Sequence, residues 1–183
     1  MAASQENIII STLLGSCIAV ALFDHGVPAG GLNHFMLPFP KTGCLFSESA
    51  RYGIHAMELL INDLLKMGVR RERLRSKVFG GGAVLEYRDE TVYNVPKKNI
   101  EFIFDFLKLE KIPIDSYSVG GTLPRKVVFF PTTGRALMRF THKAIPSLNQ
   151  RETQYSQELL KNCDGKNPVL FTSTGIGKKS VEK

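Results

Sequence analysis

Apolar residues in this chain fall in short, strand-length runs, and a helical period interrupts them only twice. Residues 8–11 read as a strand ending in the tight Leu14-Gly15-Ser16, and residues 18–23 form a second apolar run. Asp24-His25-Gly26 signals a turn, and residues 31–37 resume as a strand before Pro38, Pro40 and Gly43 mark a loop. A hairpin centred near Val27 pairs His34 with Val20. The first helical stripe lies within residues 48–67, where Met57, Leu60, Ile61, Leu64 and Leu65 repeat on one face. Ser47 or Ser49 suits its N-cap, and Gly68 follows as the C′ residue. Val78-Phe79 is a short strand running into Gly80-Gly81-Gly82. Asn99 is expected to cap the second helix, with Ile100, Ile103, Phe104 and Leu107 as its buried stripe and Pro113 as its stop. Residues 114–119, 126–130 and 136–140 read as three more strands, the last two joined through Thr133-Gly134. About seven strands and two main helices make an α+β chain.

At 183 residues the chain is long enough for one domain with a real core, and too short for two. Composition shifts after about Thr141. Residues 1–141 are expected to form the domain and residues 142–183 a basic, partly flexible tail, with Tyr155, Leu159 and Leu160 able to support one short helix. The net charge of +7 permits acidic partners, but the excess is spread along the chain without a basic stripe of interleaved aromatics, which argues against nucleic acid. No stretch approaches the ~20 apolar residues of a membrane span. The N-terminal MAASQEN lacks the basic-then-apolar pattern of a secretory signal. Cys17, Cys44 and Cys163 have no CxxC or Cys/His ligand spacing. They read as reduced cytoplasmic thiols, in neither a disulfide framework nor a zinc site.

Cys17 follows the Gly15-Ser16 turn at the mouth of a strand, where backbone N–H groups can bind an oxyanion and a positive field can favour a thiolate. The same residue also reads as a small hydrophobe opening that strand. His34 offers a base for the thiol proton, or else a core histidine in an apolar strand beside Phe35 and Met36. With His34 opposite Val20, Cys17 lies three residues further along, roughly 10 Å at the rise of an extended chain. Gly80-Gly81-Gly82 is followed by no Walker Lys-Ser/Thr and reads as a closely packed turn. Gly120-Gly121 with Arg125-Lys126 reads as a turn entering a basic strand edge, and His25, His55 and His142 read as non-catalytic.

Together these residues are specific. Ser11-Thr12-Leu13-Leu14-Gly15-Ser16-Cys17 is followed by Gly30-Gly31-Leu32-Asn33-His34-Phe35-Met36-Leu37-Pro38, then by Arg51-Tyr52, Lys77 to Ala83, Asn99-Ile100, Gly120-Gly121 and Arg125-Lys126-Val127. The series resembles the CheD family of chemoreceptor glutamine deamidases over about residues 8–140. The resemblance implies a layered β core flanked by helices, similar to the toxin deamidases. It also implies a protein-glutamine glutaminase, a cysteine amidohydrolase that converts glutamines of methyl-accepting chemotaxis receptors to glutamate. Cys17 falls on the family's nucleophile and His34 on its histidine. Ser11 stands where the family has a threonine, six residues before the cysteine, with Thr12 beside it on the opposite face of the strand. The short strand that family members carry ahead of this region is expected to be missing, because only seven residues precede Ile8.

The implied chemistry is thiolate attack by Cys17 on a carboxamide, with His34 moving the proton and Ser11 orienting the imidazole. Backbone groups at Gly15 and Ser16 would hold the oxyanion. No metal or organic cofactor is required. Arg51, Arg125 and Lys126 are the candidates for meeting the receptor. Some family members also bind a CheC-type phosphatase. A second reading is therefore a catalytically weak binding module that acts through such a partner.

Overall fold

The computed structural model describes residues 1–37, 46–84 and 95–141, with residues 46–49 as helical backbone only. Cys44, Cys163, His142 and the expected tail lie outside the described residues. Among the described residues, eight strands and two α-helices follow in the order β1 (Ala2–Ser4), β2 (Ile10–Leu14), β3 (Ile18–Asp24), β4 (Ala29–Phe35), α1 (Phe46–Lys66), β5 (Arg75–Gly80), α2 (Val95–Leu109), β6 (Ile114–Val119), β7 (Arg125–Phe130) and β8 (Arg135–Phe140).

The strands form two sheets. One has five strands in the order β1-β4-β3-β5-β6, and the other has three in the order β2-β7-β8. β3 is buried throughout because it is covered on both faces. Ile18, Val20 and Leu22 pack with Met57, Leu60, Ile61 and Leu64 of α1 and Ile103 and Leu107 of α2. Cys17, Ala19, Ala21 and Phe23 pack with Ile10 and Leu14 of β2 and Val127 and Phe129 of β7. The layers are therefore helices, large sheet and small sheet. A two-sided core explains why β3 reads as an unbroken apolar run rather than an alternating one.

Most expected elements appear. Gly68 ends α1 at φ +87°, with Val69 N–H on the Leu64 carbonyl and Gly68 N–H on the Leu65 carbonyl, the Schellman pattern. Gly134, at φ +66°, closes the β7–β8 hairpin onto the Phe130 carbonyl.

Three expectations need correction. A strand does precede β2: Ala2–Ser4 pairs antiparallel with β4. α2 begins at Val95, so Asn99 lies inside the helix rather than at its cap. Pro96 is accommodated because the first helical turn needs no N–H partner there. The β3–β4 hairpin pairs Asp24 with Ala29, which sets His34 opposite Ala19 and not Val20. A one-residue shift in register moves a side chain to the other face of the sheet. His34 therefore shares the small-sheet side with Ala19 and Cys17.

Candidate active site

The chain passes from one sheet to the other through Gly15-Ser16-Cys17, between the end of β2 and the start of β3. Three donors from outside the turn hold its three successive carbonyls. Gly82 N–H reaches the Gly15 carbonyl at 2.7 Å, Asn99 Nδ2 the Ser16 carbonyl at 3.0 Å, and Gly81 N–H the Cys17 carbonyl at 2.7 Å. In a trans peptide the N–H points opposite to the carbonyl of the same plane, and no cis bond occurs among the described residues. Fixing the Gly15 and Ser16 carbonyls toward the Gly81–Gly82 loop and α2 thus directs the N–H groups of Ser16 and Cys17 to the opposite side.

Gly80-Gly81-Gly82 is the packed turn expected, and its first two positions require glycine. A Cβ on Gly80, at φ +117°, would lie 2.1 Å from the Cys17 carbonyl oxygen, and one on Gly81 would lie 2.6 Å from Ile100. Gly120 N–H in turn donates to the Gly80 carbonyl, and Ala83 N–H to Gly121. Both Gly-rich segments brace the Cys17 turn from behind.

Asn99, expected as the cap of the second helix, instead holds this region together. It is fully buried, its Nδ2 holds Ser16, and its Oδ1 accepts Leu37 N–H at 2.8 Å. One side chain thereby ties the Cys17 turn to the segment leaving β4. A polar residue placed on the α2 face shared with Ile103 and Leu107 was the available signal.

Cys17 is 1% exposed and is not in a disulfide. His34 pairs with Ala19, and Cys17, two residues before Ala19 at the entry to β3, packs in the same inter-sheet cluster as Ala19. The other side of the imidazole meets the small sheet, where His34 Nδ1 and Thr12 Oγ1 are 2.8 Å apart. Burial, and then the positive charge of the amino terminus, lower the His34 pKa from 6.5 to about 3. The ring is therefore neutral at physiological pH. The Thr12 hydroxyl can accept from Nδ1–H or donate to a bare Nδ1, and in the first tautomer Nε2 is the basic nitrogen.

The hydroxyl at the imidazole is thus that of Thr12 and not of Ser11. Ile10 and Leu14 point into the inter-sheet core, so Thr12 between them does too, while Ser11 faces outward. The three basic candidates do not form one surface. Arg125 is 1% exposed, its guanidinium donates to the Ser118 and Gly120 carbonyls, and it lies over Phe140. That charge is committed inside the fold, at the Gly120–Gly121 turn. Arg51 is exposed on α1, on the helix side of the large sheet, and Lys126 is exposed on the outer side of the small sheet. Ser16 Oγ contacts Met36 Sδ at 3.5 Å. Among the described residues, no cluster of His, Cys, Asp or Glu could hold a metal ion, and no helix is long and apolar enough to cross a membrane.

A family model described as CheD, chemotactic sensory transduction, matches residues 36–140, more than half of the chain. The chain belongs to the CheD family. Among its relatives, the probable chemoreceptor glutamine deamidase CheD 1 of Shewanella oneidensis is 44% identical over 172 residues, which is 92% of this chain and 82% of that protein. The CheD 1 of Dechloromonas aromatica, named likewise, is 46% identical over 158 residues, covering 86% of this chain and 77% of its own length. The probable chemoreceptor glutamine deamidase CheD of Burkholderia vietnamiensis is 44% identical over 160 residues, covering 86% of this chain and 64% of its own length. The CheD match begins at Met36, directly after β4, and includes every described element from α1 to β8.

Proposed function

We propose that this CheD protein is a chemoreceptor glutamine deamidase in which Cys17 is the nucleophile, His34 the base and Thr12 the group that orients the imidazole. The observation that carries this reading is the 2.8 Å contact between Thr12 Oγ1 and His34 Nδ1 on the face that Cys17 shares. In the proposed mechanism His34 is the tautomer protonated at Nδ1, which donates to Thr12 Oγ1 while Nε2 takes the thiol proton.

The Cys17 sulfur attacks the carboxamide carbon of a substrate glutamine as His34 takes its proton. The N–H groups of Ser16 and Cys17, directed away from the braced carbonyls, receive the developing oxyanion. His34 returns the proton to the departing nitrogen, the C–N bond breaks, and ammonia leaves a thioester on Cys17. Water, giving its proton to His34, attacks the thioester, and the C–S bond breaks to yield glutamate and the thiol. One water is consumed and one ammonia is released per glutamine.

The substrates are cytoplasmic segments of methyl-accepting chemotaxis receptors, in keeping with the names of the relatives. The test is incubation of the protein with receptor cytoplasmic fragments from its own cell, with Gln-to-Glu changes mapped by mass spectrometry. Conversion at discrete glutamines, with free glutamine left untouched, is expected. Absence of conversion in every fragment, or comparable turnover of free glutamine, would refute the reading.

A further inference from the structure

The outer face of the small sheet departs from what an antiparallel sheet with one solvated face should carry, which is polar side chains pointing outward. Along β2, β7 and β8 the inward positions are Ile10, Leu14, Val127, Phe129, Ala136 and Met138. The alternating outward positions form three rows. Leu13, Lys126 and Arg139 lie across from one another, as do Ser11, Val128 and Leu137, and Phe130 lies beside Arg135. Leu137 is 46% exposed, while Leu13, Val128 and Phe130 are half-buried. The three strands contain no Asp or Glu. Lys126, Arg135 and Arg139 are exposed, and none of them takes part in an ion pair among the described residues. The Arg135 guanidinium lies over Phe130, 5.9 Å from the ring centre.

We infer that this face is a docking surface for an acidic, amphipathic helix of the protein substrate. An apolar row flanked by cations, with no carboxylate nearby, is complementary to a helix carrying an apolar stripe bordered by Asp and Glu. Aliphatic side chains between the charges suit a protein better than a phosphate chain, which gains nothing from Leu13, Val128 or Leu137. The face is also joined to the chemistry. β2 presents Ser11 and Leu13 outward and Thr12 inward to His34, and the row of Leu13, Lys126 and Arg139 lies toward the end from which the chain crosses to Cys17. A helix seated there has one end at the catalytic turn. The inference rests on the deamidase reading above and adds where the substrate is held.

The test uses the full-length protein, a receptor cytoplasmic fragment and a short uncharged glutamine peptide. Arg135→Glu/Arg139→Glu is expected to raise KM for the fragment about tenfold or more, with kcat and turnover of the short peptide held near the unsubstituted values. The unsubstituted protein's kcat/KM on the fragment should fall with salt, and that of the double variant should not. Leu137→Glu, at an exposed position, should also raise KM. Unchanged KM and unchanged salt dependence would overturn the docking surface. A drop in thermal stability with KM unchanged would overturn it too, by marking the face as one covered by the chain itself. Absence of turnover in the unsubstituted protein would remove the deamidase reading and this inference together, whereas equal KM values remove the inference alone.

Discussion

Thr12 and Ser11 are adjacent hydroxyls, and only one of them reaches the imidazole. Thr12→Ala removes one hydrogen bond, worth about 0.5–1.5 kcal/mol, so kcat should fall by roughly 2–10-fold. Thr12→Ser should restore most of that loss, and Ser11→Ala should change kcat little. His34→Ala removes the proposed base and should cost about 10²–10⁴ in kcat. Steady-state rates on a receptor fragment check the order. Sequence alone did not separate the two hydroxyls, because the segment Ile9 to Leu14 alternates apolar residues on both faces. Which face meets the core is decided by the pairing of β2 with β7, a contact between distant segments. Arg125 illustrates the same limit. A basic pair entering a strand looks like a solvated edge, and only the Gly120–Gly121 turn folding back over it buries the guanidinium. Cys17 and His34 were legible one by one, and the structure sets both on the same side of the large sheet.

At the scale of elements, the Cys17 turn is held by parts that contribute no reacting atom. Gly80→Ala must place a Cβ against the Cys17 carbonyl at a left-handed φ, so it should destabilise by roughly 2–4 kcal/mol and depress kcat. Gly120→Ala meets open space and should cost only about 1–2 kcal/mol for its left-handed φ. Denaturant midpoints separate the two. Asn99→Ala frees the Ser16 carbonyl and leaves buried Leu37 N–H without its acceptor, at about 1–3 kcal/mol. Its kcat should fall more than its KM rises, which kinetics on a receptor fragment would check. The helices and most strands were readable from their periods, since each buries a face set by its own residues. The exceptions have local causes. Ala2–Ser4 has no apolar alternation to announce a strand, and it forms by adding to the β4 edge. Asn99 resembles an N-cap, but the helix begins four residues earlier because Pro96 suits a first turn. The hairpin register depended on where a four-residue turn is centred, and a single step there decides which side of the sheet His34 occupies.

At the scale of the molecule, helices on one side and a small sheet on the other enclose the large sheet, and the proposed chemistry sits between the two sheets. Enclosing an imidazole couples its protonation to global stability. The folded His34 pKa of about 3 lies below the ordinary 6.5, so between those values the unfolded chain holds a proton that the folded chain does not. Stability should therefore fall as pH drops from 6.5 toward 3, by about 1 kcal/mol per pH unit from this group. His34→Gln should flatten that slope, as denaturant unfolding over the same pH range would record. The central claim is that one thiol, at the crossing between the sheets, performs the deamidation. It is tested most directly by the rate of Gln-to-Glu conversion in a receptor fragment by folded Cys17→Ala, followed by mass spectrometry beside the unsubstituted protein. The account predicts no conversion above background for Cys17→Ala, with its thermal unfolding close to that of the unsubstituted protein. Conversion by Cys17→Ala at a rate near that of the unsubstituted protein would contradict it.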